Sequence, residues 1–221
     1  MTKSIVYQNK IDLIQQTITQ DDIVLDVGFW GQGVKENDEY WPHKHIIARA
    51  KQVDGLDLGM DTAMLEKINP QGIYHAQSAE EFMFDRHYTK IFAGDIIEHL
   101  PNPGLFLDHC RMHLAPGGAL IITTPNAFNL FVLAGKLMHQ EPPVNKDHTC
   151  YFNSKTIACL LTKVGWSVEE YHYLYTLNIT YSESYKKKFL NGLYRLLGHC
   201  TDKYMETLVV IARPHASIHH S

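Results

Sequence analysis

The chain has 221 residues, about the size of one α/β domain and enough to bury a substantial core. Its formal net charge of −4 gives no general attraction to nucleic acid or to an anionic membrane, so a nucleic-acid substrate is disfavoured. No apolar run approaches the roughly 20 residues of a membrane span, and residues 1–10 lack the apolar core of a secretion signal, so we expect a cytoplasmic protein with no membrane span.

Apolar runs alternate with helical patterns along most of the chain. Residues 9–19 carry apolar side chains at helical spacing, which predicts an amphipathic helix before the first strand. Strands are predicted over 23–27, 52–56, 72–76, 90–94, 119–123, 167–174 and 207–212. Helices are predicted over 61–68, 103–114, 154–164 and 181–199, and another is predicted to begin at Ser78. This order predicts an α/β fold, namely a doubly wound, mainly parallel seven-stranded sheet with helices on both faces.

One segment interrupts the alternation. Residues 126–151 join a helix-like apolar run to a polar stretch with two prolines, and long connections inside a compact domain are commonly functional. We therefore predict a single domain over residues 1–214, with an acceptor-site insertion at about 126–151. Residues 215–221 are polar and rich in histidine, and we expect them to form a disordered tail.

A glycine-rich turn follows the first predicted strand. Asp26 lies near the end of that strand, where its carboxylate can bind backbone amides of the turn or face an ammonium group. Gly28, Gly31 and Gly33 allow the backbone to turn sharply and to approach a ligand closely. Such a turn at the carboxyl end of a strand is typical of a nucleotide-like cofactor site.

Two later strands also end in acids. Asp57 ends the second predicted strand, where its carboxylate can accept hydrogen bonds from both hydroxyls of a ribose. Leu58 would then lie against the adenine. Asp95 follows the fourth predicted strand and begins a stretch that contains Glu98 and His99. Three acidic strand ends in this order indicate one ligand crevice.

The stretch 95–103, Asp-Ile-Ile-Glu-His-Leu-Pro-Asn-Pro, and the stretch 114–126 resemble class I S-adenosylmethionine-dependent methyltransferases with an Asp-x-x-Glu-His-Leu signature. The resemblance runs from about residue 23 to residue 214. It implies a Rossmann-like methyltransferase fold and S-adenosylmethionine as the cofactor. The usual glycine signature is Asp-x-Gly-x-Gly-x-Gly, whereas Phe29 and Trp30 add one residue between the first two glycines here.

The resemblance also implies which residues contact the cofactor. Asp95 and Ile96 would lie beside its methionine part, and Ser78 and Ala79 near the adenine amino group. Ser78 fits a simple helix cap equally well. The predicted cofactor-binding residues are Asp26, Gly28, Phe29, Gly31, Gly33, Asp57, Leu58, Ser78, Ala79, Asp95 and Ile96.

Two histidines are candidates for the general base, because a hydroxyl nucleophile must lose its proton as the methyl group is transferred. His99 follows the fourth strand. His148 lies in the irregular segment, in a His-x-x-x-Phe pattern that the resembling methyltransferases often carry, and we favour it as the base. Asp95, Glu98 and both histidines are also of types that bind a divalent cation. Nothing in their spacing requires one, so no metal is predicted.

The predicted activity is methyl transfer from S-adenosylmethionine to a small-molecule hydroxyl, with a sugar or nucleotide sugar expected by analogy with carbohydrate-biosynthesis methyltransferases. A quinone or phenol acceptor and N-methylation of an amino sugar are alternatives. A nicotinamide-dependent dehydrogenase is disfavoured because the turn is not Gly-x-Gly-x-x-Gly and Asp57 lies too far beyond Gly28. A non-catalytic nucleotide-binding domain is disfavoured by the intact acids. The oligomeric state stays open.

Overall fold

The computed structural model describes residues 4–31, 38–137, 145–175 and 204–215, and these contain one sheet and six α-helices. The strands are β1 (Val6–Tyr7), β2 (Ile23–Val27), β3 (Gln52–Asp57), β4 (Tyr74–Ala76), β5 (Tyr88–Gly94), β6 (Leu114–Pro125), β7 (Trp166–Leu174) and β8 (Thr207–Pro214). The helices are α1 (Lys10–Thr17), α2 (Pro42–Arg49), α3 (Thr62–Ile68), α4 (Pro103–His113), α5 (Leu130–Leu137) and α6 (Ser154–Lys163), with a 3₁₀ turn at Ile97–His99.

The strand order is β1-β7-β8-β6-β5-β2-β3-β4. The chain moves outward from β2 through β3 and β4 on one side and through β5 and β6 on the other, so β2 and β5 are neighbours at the point where the winding direction reverses. Strand β8 runs antiparallel to β6 and β7, and the other strand pairs are parallel. Ligands bind at the carboxyl ends of the strands at such a reversal.

Alternate residues of the central strand enter different cores, because successive side chains of a strand point to opposite faces. Leu25 of β2 packs in a cluster with Leu107 of α4. Val24 packs in a second cluster with Ile14 of α1 and Ile46 of α2. Helices therefore cover both faces, and the predicted doubly wound, mainly parallel fold is confirmed.

The sheet has one strand more than the seven predicted. Strand β1 pairs in parallel with the last residues of β7, and the amide of Ile5 donates to Nδ1 of His172 at 3.0 Å. A strand of two residues is too short to show alternating apolar and polar side chains, so the sequence could not predict it.

The helix predicted to begin at Ser78 is wrong. Residues 77–87 form turns and a single bridge between Ser78 and Glu81. The ring of Phe82 is buried, and the amide of Phe84 donates to Nε2 of His113 on α4 at 2.9 Å. Packing against α4 thus overrides the local capping signal. The predicted helix over 181–199 lies outside the described residues, as does the predicted tail from residue 216 onward.

Within the residues that the structure covers, no helix has both the length and the apolar character needed to cross a membrane.

Candidate active site

Asp57 holds the glycine turn in place at the end of β3. Its Oδ2 accepts the amide of Trp30 at 2.8 Å, and its Oδ1 accepts the amide of Gly59 at 3.3 Å. A carboxylate has about four acceptor positions, so two stay open as far as the described residues are concerned. The neighbouring Leu58 is 77% exposed, which is a large fraction for an apolar side chain at the edge of a crevice.

The first glycine of the turn is required by its backbone and by its neighbour. Gly28 has φ of +72°, and a Cβ added there would lie 3.0 Å from Cβ of Ile96. Its amide donates to the carbonyl of Leu56 at 2.9 Å, which ties the turn to β3. Gly31 is exposed, whereas Gly33 lies outside the described residues.

The additional residue in the turn enters the core. The Phe29 ring is 6% exposed and lies 4.4 Å, centroid to centroid, from the His43 ring, and the Trp41 indole donates to the Phe29 carbonyl at 2.7 Å. A Cβ on Gly55 would lie 2.5 Å from the Phe29 ring, so β3 has a glycine where this ring crosses it. The departure from the usual signature is therefore an aromatic anchor beneath the turn.

Asp26 belongs to a buried network on the α2 side of the sheet. It is 2% exposed, and its Oδ2 lies 2.8 Å from Nδ1 of His43, whose Nε2 lies 3.0 Å from the Tyr74 hydroxyl. Burial raises the pKa of Asp26, and the hydrogen bond with His43 opposes that rise only in part. The amide of Trp30 is bound by Asp57 rather than by Asp26, and the His43 ring that Asp26 binds packs against Phe29 of the turn.

Asp95 follows β5 with φ of +54°, an uncommon conformation for a residue other than glycine. Its Oδ2 accepts Nζ of Lys10 at 2.6 Å, and its Oδ1 accepts the Thr123 hydroxyl at 2.8 Å. Burial favours the neutral acid, but the Lys10 ammonium and the Thr123 hydrogen bond outweigh it and hold the pKa of Asp95 below its usual range. Asp95 is therefore a carboxylate at neutral pH. Sequence reasoning missed Lys10, because it is distant in the chain and lies on a helix with exposed polar residues.

The predicted adenine-side residues lie in the turn after β4. The Ser78 hydroxyl accepts the amide of Glu80 at 3.1 Å, so it stabilises the local turn. Ala79 is 9% exposed and packs in the larger core cluster with Leu56.

Glu98 is a buried carboxyl group beside Asp95. It is 1% exposed, and its Oε2 accepts the Thr124 hydroxyl at 3.0 Å. Burial, with a further contribution from the Asp95 charge, raises the pKa of Glu98 to about 7.

The two candidate bases lie together next to Glu98. The rings of His99 and His148 have centroids 4.6 Å apart and are nearly perpendicular, at 86°. The segment that carries His148 is tied to the 3₁₀ turn, since the amide and the hydroxyl of Thr149 donate to the Glu98 carbonyl at 2.8 Å and 3.0 Å. One ligand-type atom from each of Glu98, His99 and His148 lies within 4.8 Å of the other two. The fold thus brings both predicted histidines to the mouth of the crevice.

A cavity of about 690 Å³ opens at the carboxyl edge of the sheet, between the ends of β6 and β7 and the start of α6. It is lined by Asn126, Phe128, Leu133, Asn153, Ser154, Lys155, Thr156, Tyr173 and Tyr204. Three aromatic rings and several polar groups in a space of this size suit a small organic molecule.

A crevice at the winding reversal with an acid at each of three strand ends is typical of class I S-adenosylmethionine-dependent methyltransferases. The methyltransferase-domain family matches residues 18–171, and the chain belongs to that family. Its cofactor is S-adenosylmethionine.

Two relatives are similar to this chain at low sequence identity. A Mycolicibacterium smegmatis protein named "Probable S-adenosylmethionine-dependent methyltransferase" is 28% identical over 125 residues, which cover 55% of this chain and 46% of that one. The human mitochondrial ubiquinone biosynthesis O-methyltransferase is 26% identical over 158 residues, covering 66% and 42%. This chain thus spans less than half of the length of either relative.

Among solved structures, the 1,6-didemethyltoxoflavin-N1-methyltransferase of Burkholderia thailandensis, determined with S-adenosylhomocysteine, has a TM-score of 0.58 at 13% identity. The match covers 94% of this chain and 77% of that one. At this identity the likeness shows the fold alone.

Proposed function

We propose that this enzyme transfers the methyl group of S-adenosylmethionine to a hydroxyl oxygen of a small-molecule acceptor. The observation that carries the proposal is the grouping of Glu98 and His99, which follow β5, with His148 from the later segment. A hydroxyl must lose its proton to act as an oxygen nucleophile, and carboxylate and imidazole groups can accept that proton.

The geometry of the glycine turn supports our assignment of the cofactor contacts. The two open acceptor positions of Asp57 suit the two ribose hydroxyls, and the exposed face of Leu58 suits the adenine. The Ile96 side chain lies so close to Gly28 that a Cβ added there would be 3.0 Å from Cβ of Ile96, so the turn has room only for a glycine at this position. We assign the adenine edge to Ser78 and Ala79, the methionine part to Asp95 and Ile96, and the remaining contacts to the backbone of 28–33.

Methyl transfer needs alignment more than covalent help. The bound cofactor supplies a methyl group on a positively charged sulfur. The chain's own residues hold the acceptor oxygen in line, exclude water and promote loss of the acceptor proton at the Glu98–His99–His148 cluster. The sequence favours His148 over His99 for that role, and the two rings lie next to each other.

We consider two chemical classes of methyl acceptor. A sugar or nucleotide sugar is the acceptor predicted from the sequence. A phenol or quinol is the second candidate, because the human relative and several bacterial relatives are named ubiquinone biosynthesis O-methyltransferases and because Phe128, Tyr173 and Tyr204 line the cavity. N-methylation of an amino sugar and a cytoplasmic location stay predictions from the sequence.

Calorimetry and a labelled-methyl assay test the proposal. We expect micromolar binding of S-adenosylmethionine and S-adenosylhomocysteine and no heat with NAD. Methyl transfer is then measured on a panel of sugars, nucleotide sugars and phenols. On a verified acceptor, His148→Ala should lower turnover by about two to four powers of ten while cofactor affinity is nearly unchanged. His99→Ala is measured in parallel, because His99 is the other candidate base. A dead His99→Ala beside a fully active His148→Ala would move the role to His99, and transfer to an amine alone would refute O-methylation.

A further inference from the structure

We propose that Glu98, His99 and His148 bind one divalent transition-metal cation. The inference rests on the proposed function, since it concerns the place where the acceptor hydroxyl would lie. The three side chains come from two parts of the chain, the 3₁₀ turn after β5 and the segment that follows residue 144, and one ligand-type atom of each lies within 4.8 Å of the other two.

Two of these side chains carry buried atoms that nothing in the described residues satisfies. Oε1 of Glu98 and Nδ1 of His148 are both inaccessible to solvent and have no hydrogen-bond partner there. Buried polar groups in native proteins are nearly always paired, and each unpaired one costs about 1–3 kcal/mol. Two such atoms in one cluster indicate that a bound species completes it.

The third side chain has the arrangement of a metal ligand. Nδ1 of His99 lies 3.2 Å from the Asp147 carbonyl, which can only accept a hydrogen bond, so Nδ1 carries the proton. The lone pair of the neutral ring is therefore on Nε2. Metal-binding histidines usually donate their other ring N–H to a backbone carbonyl or a carboxylate, which fixes the tautomer and the ring orientation.

The electrostatics of the cluster favour a positive ion. The Asp95 carboxylate acts on the Glu98 carboxyl group, and the imidazole rings of His99 and His148 lie close to Glu98. The Lys10 ammonium is engaged by Asp95. A cation would satisfy Glu98 and His148 at once, whereas Oε1 of Glu98 and Nδ1 of His148 form no hydrogen bond with each other.

The ligand set selects the kind of cation. Two imidazoles and one carboxylate suit zinc, cobalt, iron or manganese, whereas calcium and magnesium prefer all-oxygen sites. Ligands at about 2.0–2.2 Å from a tetrahedral zinc ion lie about 3.4 Å apart, so side-chain rotations have to contract the cluster by about 1.4 Å at its widest. Three protein ligands leave a position open, as in catalytic zinc sites.

The open position would take the acceptor oxygen. Binding to the cation lowers the pKa of a hydroxyl, so its proton is released to water. The electron pair of that oxygen then forms the bond to the methyl carbon, and the carbon–sulfur bond breaks with its electron pair left on sulfur. His148 would act in this arrangement as a ligand rather than as a free base.

The test uses the full chain after removal of metals by a chelator, with Ser in place of His219 and His220 so that these two histidines do not contribute. Cobalt(II) is added in the absence of any acceptor and followed by its visible spectrum, and zinc is added in a calorimeter. We expect one ion per chain. Glu98→Gln, His99→Ala and His148→Ala should each lower its affinity by at least about 100-fold, whereas the exposed His87→Ala should not change it.

S-adenosylhomocysteine binding by each variant shows that it is folded. Folded cluster variants that bind cobalt as the wild type does, or a wild type that binds no stoichiometric cobalt or zinc, would overturn the cation site. If methyl transfer also persists in the chelator, the proposed function stands with a free histidine base. Loss of S-adenosylhomocysteine binding by the wild type would instead refute the proposed function.

Discussion

Replacing Asp57 by Asn tests the cofactor site at the residue on which most of its geometry depends. The amide oxygen of Asn can still accept the Trp30 amide, which Asp57 binds at 2.8 Å, so the turn should keep its shape. The negative charge is lost, and an NH₂ group replaces one of the two acceptor oxygens. Hydrogen bonds to a charged group contribute about 1.5–3 kcal/mol each, and the two ribose hydroxyls would both be affected. A loss of about 2–4 kcal/mol corresponds to a roughly 30-fold to 1,000-fold weaker affinity.

Calorimetric titration with S-adenosylhomocysteine measures this change, and thermal unfolding verifies that the variant is folded. Asp61→Asn is the matched control, because Asp61 is an exposed carboxylate that caps α3 and Asn caps helices equally well. A folded Asp57→Asn protein with affinity within about twofold of the wild type would show that Asp57 is not the ribose acid.

Two further changes test the core around the site. Gly55→Ala should lower the free energy of unfolding by about 1–3 kcal/mol in urea titrations and weaken cofactor binding, because the added Cβ would lie 2.5 Å from the Phe29 ring. Gly59→Ala is the control, since its added Cβ would have no neighbour within 4 Å, and it should change the free energy of unfolding by less than about 0.5 kcal/mol. Burial lowers the pKa of His113, so the wild type should lose stability as pH falls below the unfolded histidine value of about 6.5. His113→Gln keeps an acceptor for the Phe84 amide and should lose less between pH 7 and 5, and equal losses in the two proteins would refute this account.

Most of the regular elements were predictable because local patterns determine them, although β1 and α2 were not predicted. Residues 154–164, for example, carry apolar side chains on one face and a capping residue at the start, and the structure has α6 with a capping box formed by Asn153 and Thr156. The irregular turn after β4 was not predictable in the same way. Its shape depends on the burial of Phe82 against α4, which involves a helix that comes later in the chain.

The candidate site was predictable as a set of residue types rather than as contacts. The acids at the strand ends could be placed, because parallel strands share one carboxyl edge. The partners of those acids could not, since Asp26 binds His43 and Asp95 binds Lys10 across long sequence separations. The proximity of His99 and His148 likewise depends on the contacts of Thr149, which has no distinguishing pattern of its own.

The position of β1 has a consequence for the order of assembly. Its residues pair with Tyr173 and Leu174, so this strand cannot dock before most of the chain has been synthesised. Helix α1 follows β1 directly and delivers Lys10 to Asp95. Contacts between residues so far apart in sequence are expected to form late, because the entropy of closing the long intervening loop is lost before the contacts provide any favourable free energy. The ion pair at the catalytic crevice would then be completed in one of the last steps of folding, after the sheet around it has formed.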